Sequence, residues 1–425
     1  MKSEVAVLDL GTSKVCCAIA KGYSPHSKID SEAIESKRTI RILGTGYHLA
    51  SGIKRNSITA LEKLEESILS AISVAEKDAE KPVKSILIAL PSWATKSHII
   101  KSSIQLGQLP VDDIHIGSLL NFKTSEYIDC VNNEIIHVFP ISYSLDDIEE
   151  IQNPIGMVGE TLSSTLHVIT ASKIFLRNIK NCLNRNNIEV EKFISSAYAS
   201  GLSVLIQEEM DLGVTLIDFG GSTISISFFG DNSFLYTTSI PIGGDNITND
   251  ISIILRTTKS HAERLKILYG ISGVQGVVDD NTSSSSLNDE QCLVPKIDEY
   301  GEEYMQSISK NMLDSIIRAR LEEILEAVEK RIANTVMARR IVITGGGSRL
   351  SGISEFIKTN KFFKNFSLRL GKPIGAIGSH DFVQTSSFAT TAGAVLHCLS
   401  PYNQNSFDKN KSITQKIITW LKRGI

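Results

Sequence analysis

The chain has little of what marks several common classes of function. Its six cysteines, Cys16, Cys17, Cys130, Cys182, Cys292 and Cys398, include no C-x-x-C pair. Neither a zinc site nor a disulfide framework is indicated, and buried free thiols in a reducing cytoplasm are expected. No charge of one sign dominates: 44 Lys and Arg against 47 Asp and Glu leave a net charge of −3. Without a basic field, an aromatic-and-basic stripe or an Arg-rich arm, no nucleic-acid partner is expected. No apolar run approaches the roughly 20 residues that span a bilayer. The first such run, residues 5–8, is stopped by Asp9 and makes no signal peptide.

What is present is ordinary globular composition, 42% apolar and 21% charged over 425 residues, enough for about three units of roughly 150 residues. One stretch, residues 213–229, carries a distinct pattern. An apolar run ends in Asp218, the turn Gly220-Gly221-Ser222-Thr223 follows, and Ile224, Ile226 and Phe228 then alternate with Ser225 and Ser227. An apolar run before a Gly turn and period two after it read as strand, turn, strand. A row of backbone N–H groups in such a turn can hold an anion, and Asp218 at its mouth can hold a cation or orient a water. One such hairpin alone reads sooner as a structural turn with an incidental acid, since Gly hairpins are common. But residues 5–19 repeat the pattern, with Asp9 and then Gly11, Thr12 and Ser13 between apolar strands. Two facing hairpins of this kind can clamp a phosphate chain and its metal.

Other elements follow along the chain. Residues 24–38 read as a long polar turn, 40–48 as a strand, 58–79 as an amphipathic helix and 86–90 as a buried strand. Residues 92–167 change character: strands at 97–106 and 135–143 flank a helix at 114–131, as in an inserted lobe. Helices follow at 174–186, with Asn187 at the C-cap, and at 197–208, with a strand at 190–195 between them. After the central hairpin come a strand at 234–240, the turn Gly243-Gly244-Asp245 and a helix at 246–255. Ser260 with Glu263 reads as a capping box. A polar loop at 283–286 lies between two weak strands in 274–295, and 301–334 reads as long helix. Strand 340–344 runs into Gly345-Gly346-Gly347-Ser348 and a helix from Leu350, a place where a phosphate or sugar edge approaches backbone, although a Gly turn alone is as often structural. Small residues at 387–394 echo those at 195–201, so two like lobes meeting across duplicated helices can open and close.

The end of the chain is different again. Residues 401–411 form a polar linker. In 412–425, Ile413, Ile417, Trp420 and Leu421 share one helical face, while Lys416, Lys422 and Arg423 lie opposite. A tethered basic amphipathic helix with Trp suits a bilayer interface, each cation adding roughly 1 kcal/mol on an anionic leaflet. A helix docked on the protein's own core is the competing reading.

The paired Asp-x-Gly hairpins, the paired small-residue helices and the late Gly-Gly-Gly-Ser turn together resemble the actin-like ATPase superfamily. The insertion in the first half, the Asn153-Pro154-Ile155-Gly156 turn and the amphipathic tail make the chain similar to its FtsA family of bacterial cell-division proteins. That resemblance implies an α/β actin-like fold: two duplicated lobes around a nucleotide cleft, an inserted α+β subdomain and a C-terminal amphipathic helix. The implied units are a first-lobe core at 1–84, continued at 167–196 and 385–400, and an insert at 85–166. A second-lobe core at 197–244 continues at 335–384 and carries an outer subdomain at 245–334. ATP and Mg²⁺ are the implied cofactors, with at most weak turnover. Asp9 and Asp218 would sit near the metal. Gly11, Thr12 and Ser13 would form the first phosphate loop, and Gly220, Gly221, Ser222 and Thr223 the second, followed by Gly243 and Gly244. Glu263 and Lys266 would flank ribose and adenine, with Gly345, Gly346, Gly347 and Ser348 as the adenosine loop. Ser222 departs from the family's third glycine, and serine tolerates a positive φ poorly.

The same resemblance implies protofilaments of the chain itself, later division proteins as partners of the insert, and anchorage of the FtsZ C-terminal tail to the anionic inner membrane at the septum. Arg318 and Arg320 are candidates for pairing with that acidic tail, a solvated ion-paired face being the competing reading. A pilus-assembly ATPase or a small-molecule kinase of the same superfamily is the alternative. A kinase needs a cleft Asp as base toward a substrate hydroxyl, and no unassigned Asp stands out.

Overall fold

The computed structural model describes residues 4–22, 40–54, 56–120, 128–271, 291–297, 303–333, 339–378 and 380–399. The polar stretch at 24–38, the loop at 283–286, the linker at 401–411 and the amphipathic segment at 412–425 lie outside them.

The chain opens on a hairpin, β1 (Val5–Leu10) and β2 (Lys14–Gly22), with Asp9 opposite Cys16. β3 (Ile40–Leu49) continues the sheet. A short pair, β4 (Ile53–Lys54) and β5 (Ser57–Ile58), precedes α1 (Leu61–Ala79). That pairing takes up Ile58, so the helix begins three residues later than its periodicity suggests. Leu64, Ile68, Ile72 and Ala75 bury its apolar face on the sheet. Gly46 permits the close approach, since a Cβ there would lie 2.0 Å from the Ala71 carbonyl oxygen. β6 (Ser85–Leu90) runs parallel to β1.

The insert follows as β7 (Thr95–Gln105), α2 (Asp113–Leu120), β8 (Asn133–Leu145), β9 (Ile148–Ile151) and β10 (Thr161–Ser172), an antiparallel sheet in the order β7-β10-β8-β9. Residues 128–131, expected to be helical, are not. The Asp129 carboxylate accepts from the N–H groups of Val131 and Asn132 and closes a local turn instead. α3 (Lys173–Asn184) ends near Asn187, which adopts φ +59°, and β11 (Glu189–Ser195) runs parallel to β6.

The single helix expected at 197–208 is two, α4 (Ser196–Val204) and α5 (Gln207–Leu212). Leu205 and Ile206 are extended between them. Glu209 enforces the break: it caps the Ile206 N–H at 3.1 Å and pairs with Arg369. Then come β12 (Val214–Phe219), β13 (Ile224–Gly230), β14 (Ser233–Ile240), α6 (Gly244–Leu255) and α7 (Lys259–Tyr269). The cap of α7 is Thr258, which accepts from the His261 N–H, and not Ser260. β15 (Gln291–Ile297) pairs with β16 (Glu303–Ser309), so the expected long helix starts only at α8 (Lys310–Ile332). Ser309 caps it and ends the strand. β17 (Arg340–Thr344), α9 (Ile353–Thr359), β18 (Ser367–Leu370), β19 (Ala376–Ile377) and α10 (Ala389–Leu399) complete the chain. A tight turn over Gly346–Arg349 delays α9 to three residues past Leu350.

The duplication inferred from the sequence is literal. One sheet reads β19-β3-β2-β1-β6-β11 and the other β14-β13-β12-β17-β18. Each has an antiparallel hairpin extended by a third antiparallel strand, then two parallel neighbours. The halves meet where α4 crosses α10. A Cβ on Gly393 would lie 1.7 Å from the Ala199 carbonyl oxygen, so the backbones touch. Ser203 Oγ donates to the Ala389 carbonyl at 2.7 Å across the same joint. The insert is anchored beside it by rings: His137, Phe139, His167, Tyr198, Phe234 and His397 form a continuous cluster.

Two predictions follow from this packing. Gly393→Ala pushes apart a joint with no slack and is expected to destabilise the protein by about 1–3 kcal/mol in urea unfolding. The buried histidines make the fold acid-labile. Burial pushes His167 down to about 4 and His397 down to about 3, and holds His137 low as well. Below their unfolded value near 6.5 the unfolded chain takes up protons that the folded one refuses, so stability falls as pH drops from about 6.5 toward those values. His397→Phe is expected to flatten that slope between pH 6.5 and 5, by up to about 1.4 kcal/mol per pH unit.

Candidate functional site

Both Asp-bearing hairpins deliver their acids to one place. Asp9 on β1 and Asp218 on β12 lie near the ends of corresponding strands of the two sheets. Each keeps a partly open edge yet lies deep among protein atoms. Burial pushes the Asp9 carboxyl up to about 7; the charge of Lys14 opposes the rise and that of Asp218 adds to it. Burial also raises Asp218, against the Ser200 hydroxyl, Lys14 and Thr390. Ser200 Oγ donates to Asp218 at 2.6 Å and shares a 2.9 Å hydrogen bond with Thr390 Oγ. The joint between α4 and α10 therefore touches the acid directly.

The two turns close on each other. The Ser222 N–H donates to Thr12 Oγ at 3.0 Å. Ser13 Oγ and Ser222 Oγ both donate to the Asp245 carboxylate, each at 2.8 Å. Behind them the Gly244 and Asp245 N–H groups reach the carbonyls of Gly220 and Gly221 at 3.1 and 2.8 Å. A Cβ on Gly243 would lie 2.4 Å from the Gly221 carbonyl oxygen, which explains glycine there. Ser222 does not adopt a positive φ, so serine at this position carries no backbone strain. Glu263 and Lys266 belong to the same wall. Lys266 Nζ meets Glu263 at 2.7 Å, Thr248 Oγ at 2.8 Å and the Gly244 carbonyl at 3.2 Å.

The third loop leaves β17 through Gly345 at φ +85°, where a Cβ would lie 2.3 Å from Asp218 Oδ1. Gly347 sits on the Phe219 ring. Ser348 is buried and bonds both the Gly345 carbonyl and Ser386 Oγ at 2.8 Å. Beside it a hollow of ≈ 470 Å³ is lined by Arg349, Lys372 and Thr385, among others. Gly11, Gly220 and Gly346 complete the loops, Gly346 lying against Ser387.

Several cleft residues were missed from the sequence. Lys14 directly follows the first turn; its Nζ donates to the Ser387 carbonyl at 3.0 Å and stands 5.1 Å from the Phe382 ring. Asn56, at φ +58°, accepts from Thr223 Oγ at 3.4 Å. Only Lys14 had a readable signal, a lone cation one residue past an Asp-x-Gly-Thr-Ser turn. Arg318 and Arg320 fall elsewhere, on α8. Arg318 pairs with Asp314, and Arg320 with Asp250 and Glu323. Ile413, Ile417, Trp420, Leu421, Lys422 and Arg423 lie outside the described residues.

Two carboxylates without an ion pair among the described residues, beside turns rich in N–H and O–H donors, make a hard-oxygen site. No group of three or more His, Cys, Asp or Glu side chains forms a metal cage among the described residues.

Comparison with known proteins gives the chain its family. The family model for cell division protein FtsA matches residues 215–393, and the model for the SHS2 domain inserted in FtsA matches residues 95–170. Cell division protein FtsA of Agrobacterium fabrum is 31% identical over 92% of this chain and 86% of its own length. The chain belongs to the FtsA family. FtsA of Borreliella burgdorferi is 27% identical over 96% of this chain and 94% of its own. Among solved structures, the type IV pilus PilM–PilN complex superposes at TM-score 0.64 with 13% identity, covering 93% of this chain and 99% of that one. MreB5 of Spiroplasma citri, bound to ADP, superposes at 0.52 with 14% identity, covering 93% and 96%. These similarities establish the actin-like ATPase fold with its inserted subdomain. Among the described residues no helix is long and apolar enough to cross a membrane.

The Asp9 shift is directly measurable. In ligand-free protein its carboxyl carbon should titrate by NMR near pH 7, far above an ordinary aspartate. Asp218→Asn removes a neighbouring negative charge and should move that midpoint down; Lys14→Gln should move it up.

Proposed function

We propose that the cleft binds ATP with Mg²⁺, and that this FtsA-family chain forms filaments of itself and tethers FtsZ to the anionic cytoplasmic face of the inner membrane at the septum. The observation that carries this reading is the convergence of two duplicated Asp hairpins and a third Gly loop on one cleft, in a chain of this family. Asp9 and Asp218 hold the cation. Gly11, Thr12, Ser13 and the turn Gly220–Thr223 take the phosphates, with Lys14 adding charge. Glu263, Lys266 and Gly345–Ser348 flank ribose and base. The glycine cradle at Gly243 and Gly345 and the two carboxylates without an ion pair among the described residues fit such a ligand. When bound, the nucleotide supplies a polyanion that both halves contact, so α4 and α10 are held at one crossing angle. Turnover is weak.

The segment 412–425 lies on lipid with Ile413, Ile417, Trp420 and Leu421 inserted and Lys422 and Arg423 at the headgroups. The insert at 85–166 meets neighbouring protomers and later division proteins, and the outer subdomain at 245–334 takes the FtsZ tail. Arg320 reaches an acidic peptide only by exchanging Asp250 and Glu323 for it, so its contribution is modest. Co-sedimentation with anionic vesicles and an FtsZ C-terminal peptide, with and without ATP, tests the whole reading. Full chain should pellet with vesicles and carry the peptide, with ATP increasing the pelleted fraction. A chain lacking 412–425 should stay in the supernatant, and its continued pelleting with lipid would reject the membrane role.

A further inference from the structure

Three donors of the two turns are already spent on the protein itself. The Ser222 N–H goes to Thr12, 3.0 Å away. The Ser13 hydroxyl donates to both oxygens of Asp245, at 2.8 and 3.1 Å. The Ser222 hydroxyl donates to the same carboxylate at 2.8 Å. The approach is as close as atoms allow: a Cβ on Gly221 would lie 1.7 Å from Ser13 Oγ and 3.0 Å from Asp245 Oδ2. Asp245 is fixed from behind by its own N–H on the Gly221 carbonyl at 2.8 Å. A carboxylate that accepts from both hydroxyls occupies the place of a phosphate oxygen chemically, as an anion facing O–H and N–H donors from two loops.

We propose that Ser13, Ser222 and Asp245 form a clasp that locks the two phosphate loops together, and that Ser222 and Asp245 thereby set how tightly and how fast a nucleoside triphosphate binds. The inference rests on the nucleotide reading above. A phosphate chain enters only after Asp245 has released both hydroxyls, and the carboxylate repels it until then. The clasp is specific to this chain's serine: a glycine at 222 has no hydroxyl to give, leaving Asp245 with Ser13 alone. Apparent affinity is the intrinsic affinity reduced by the fraction of molecules with the clasp open.

The sign of the mutational effect decides the matter. If Ser222 were simply a phosphate ligand, its loss would weaken binding. As part of a clasp, its loss strengthens binding. ATP with Mg²⁺ is titrated into full-length protein, wild type, Ser222→Gly and Asp245→Ala, by calorimetry, with association followed by stopped flow using a fluorescent ATP analogue. Ser222→Gly should bind about tenfold more tightly, the equivalent of one charge-assisted hydrogen bond, and associate faster. Asp245→Ala should shift affinity further in the same direction. Unchanged or weaker binding by Ser222→Gly, with wild type binding normally, overturns the clasp and leaves the nucleotide site standing. Should Asp245→Ala not fold, Ser222→Gly alone decides. Binding by Ser222→Gly but not by wild type supports the clasp in its strongest form. Absence of binding in every variant, at millimolar ATP, removes the nucleotide reading and the clasp with it.

Discussion

The constraint on which the rest depends is the crossing of α4 over α10 with backbones in contact. Only small residues permit it. Gly393 lies against the Ala199 carbonyl, and Ser200, Ser203 and Thr390 replace apolar packing with short hydrogen bonds. Each half of the chain has its own sheet and core, so this joint is where their relative orientation is fixed. Ser200 links that orientation to the chemistry, because one hydroxyl touches Asp218 in the cleft and Thr390 on the other half. A change in the charge or ligation of Asp218 is felt at the joint with no intermediary beyond Ser200.

The insert shares the same joint. Its strands β8 and β10 present His137, Phe139 and His167 to Tyr198 of α4, Phe234 of β14 and His397 of α10. His137 accepts from the Ser195 N–H at 3.1 Å, one residue before α4 begins, and His167 holds the Phe234 carbonyl and Ser97 Oγ. Neutral imidazoles do this well, since each offers one donor and one acceptor in a dry place. Desolvation keeps them neutral. The insert is therefore packed against elements of both halves, and not suspended from the first half by its two chain connections alone.

The fold was legible where local signals and tertiary demands agree. The alternation in 224–228, the apolar run at 5–8, the apolar stripe of α1 and the buried run of β17 all appear as strands or helix where the sequence places them. The misses share one cause, a side chain that reaches beyond its own segment. Glu209 splits one helical pattern into α4 and α5 because it must meet Arg369, 160 residues later. Residues 303–309 carry enough helix formers to read as the start of α8, but β15 claims them as a partner. In the cleft, the Asp and Gly residues were legible because turns and charges have short sequence signatures. Asn56, Ser200 and Ser386 were not, because each acquires meaning only from a partner dozens to more than 100 residues away.

Electrostatics and the clasp together describe a cleft that resists being charged. Burial pushes the Asp9 carboxyl up to about 7, and the charge of Lys14 offsets only part of that rise. Asp245 is stabilised by taking donors from both turns. On the nucleotide reading proposed above, a cation and a polyanion arriving together would relieve both tensions at once: the cation would favour ionised Asp9, and phosphate oxygens would take over the donors that Asp245 gives up. Either ion alone relieves only one. On that reading, desolvation of Asp9 and donor competition by Asp245 would favour a metal–phosphate pair over its separate components.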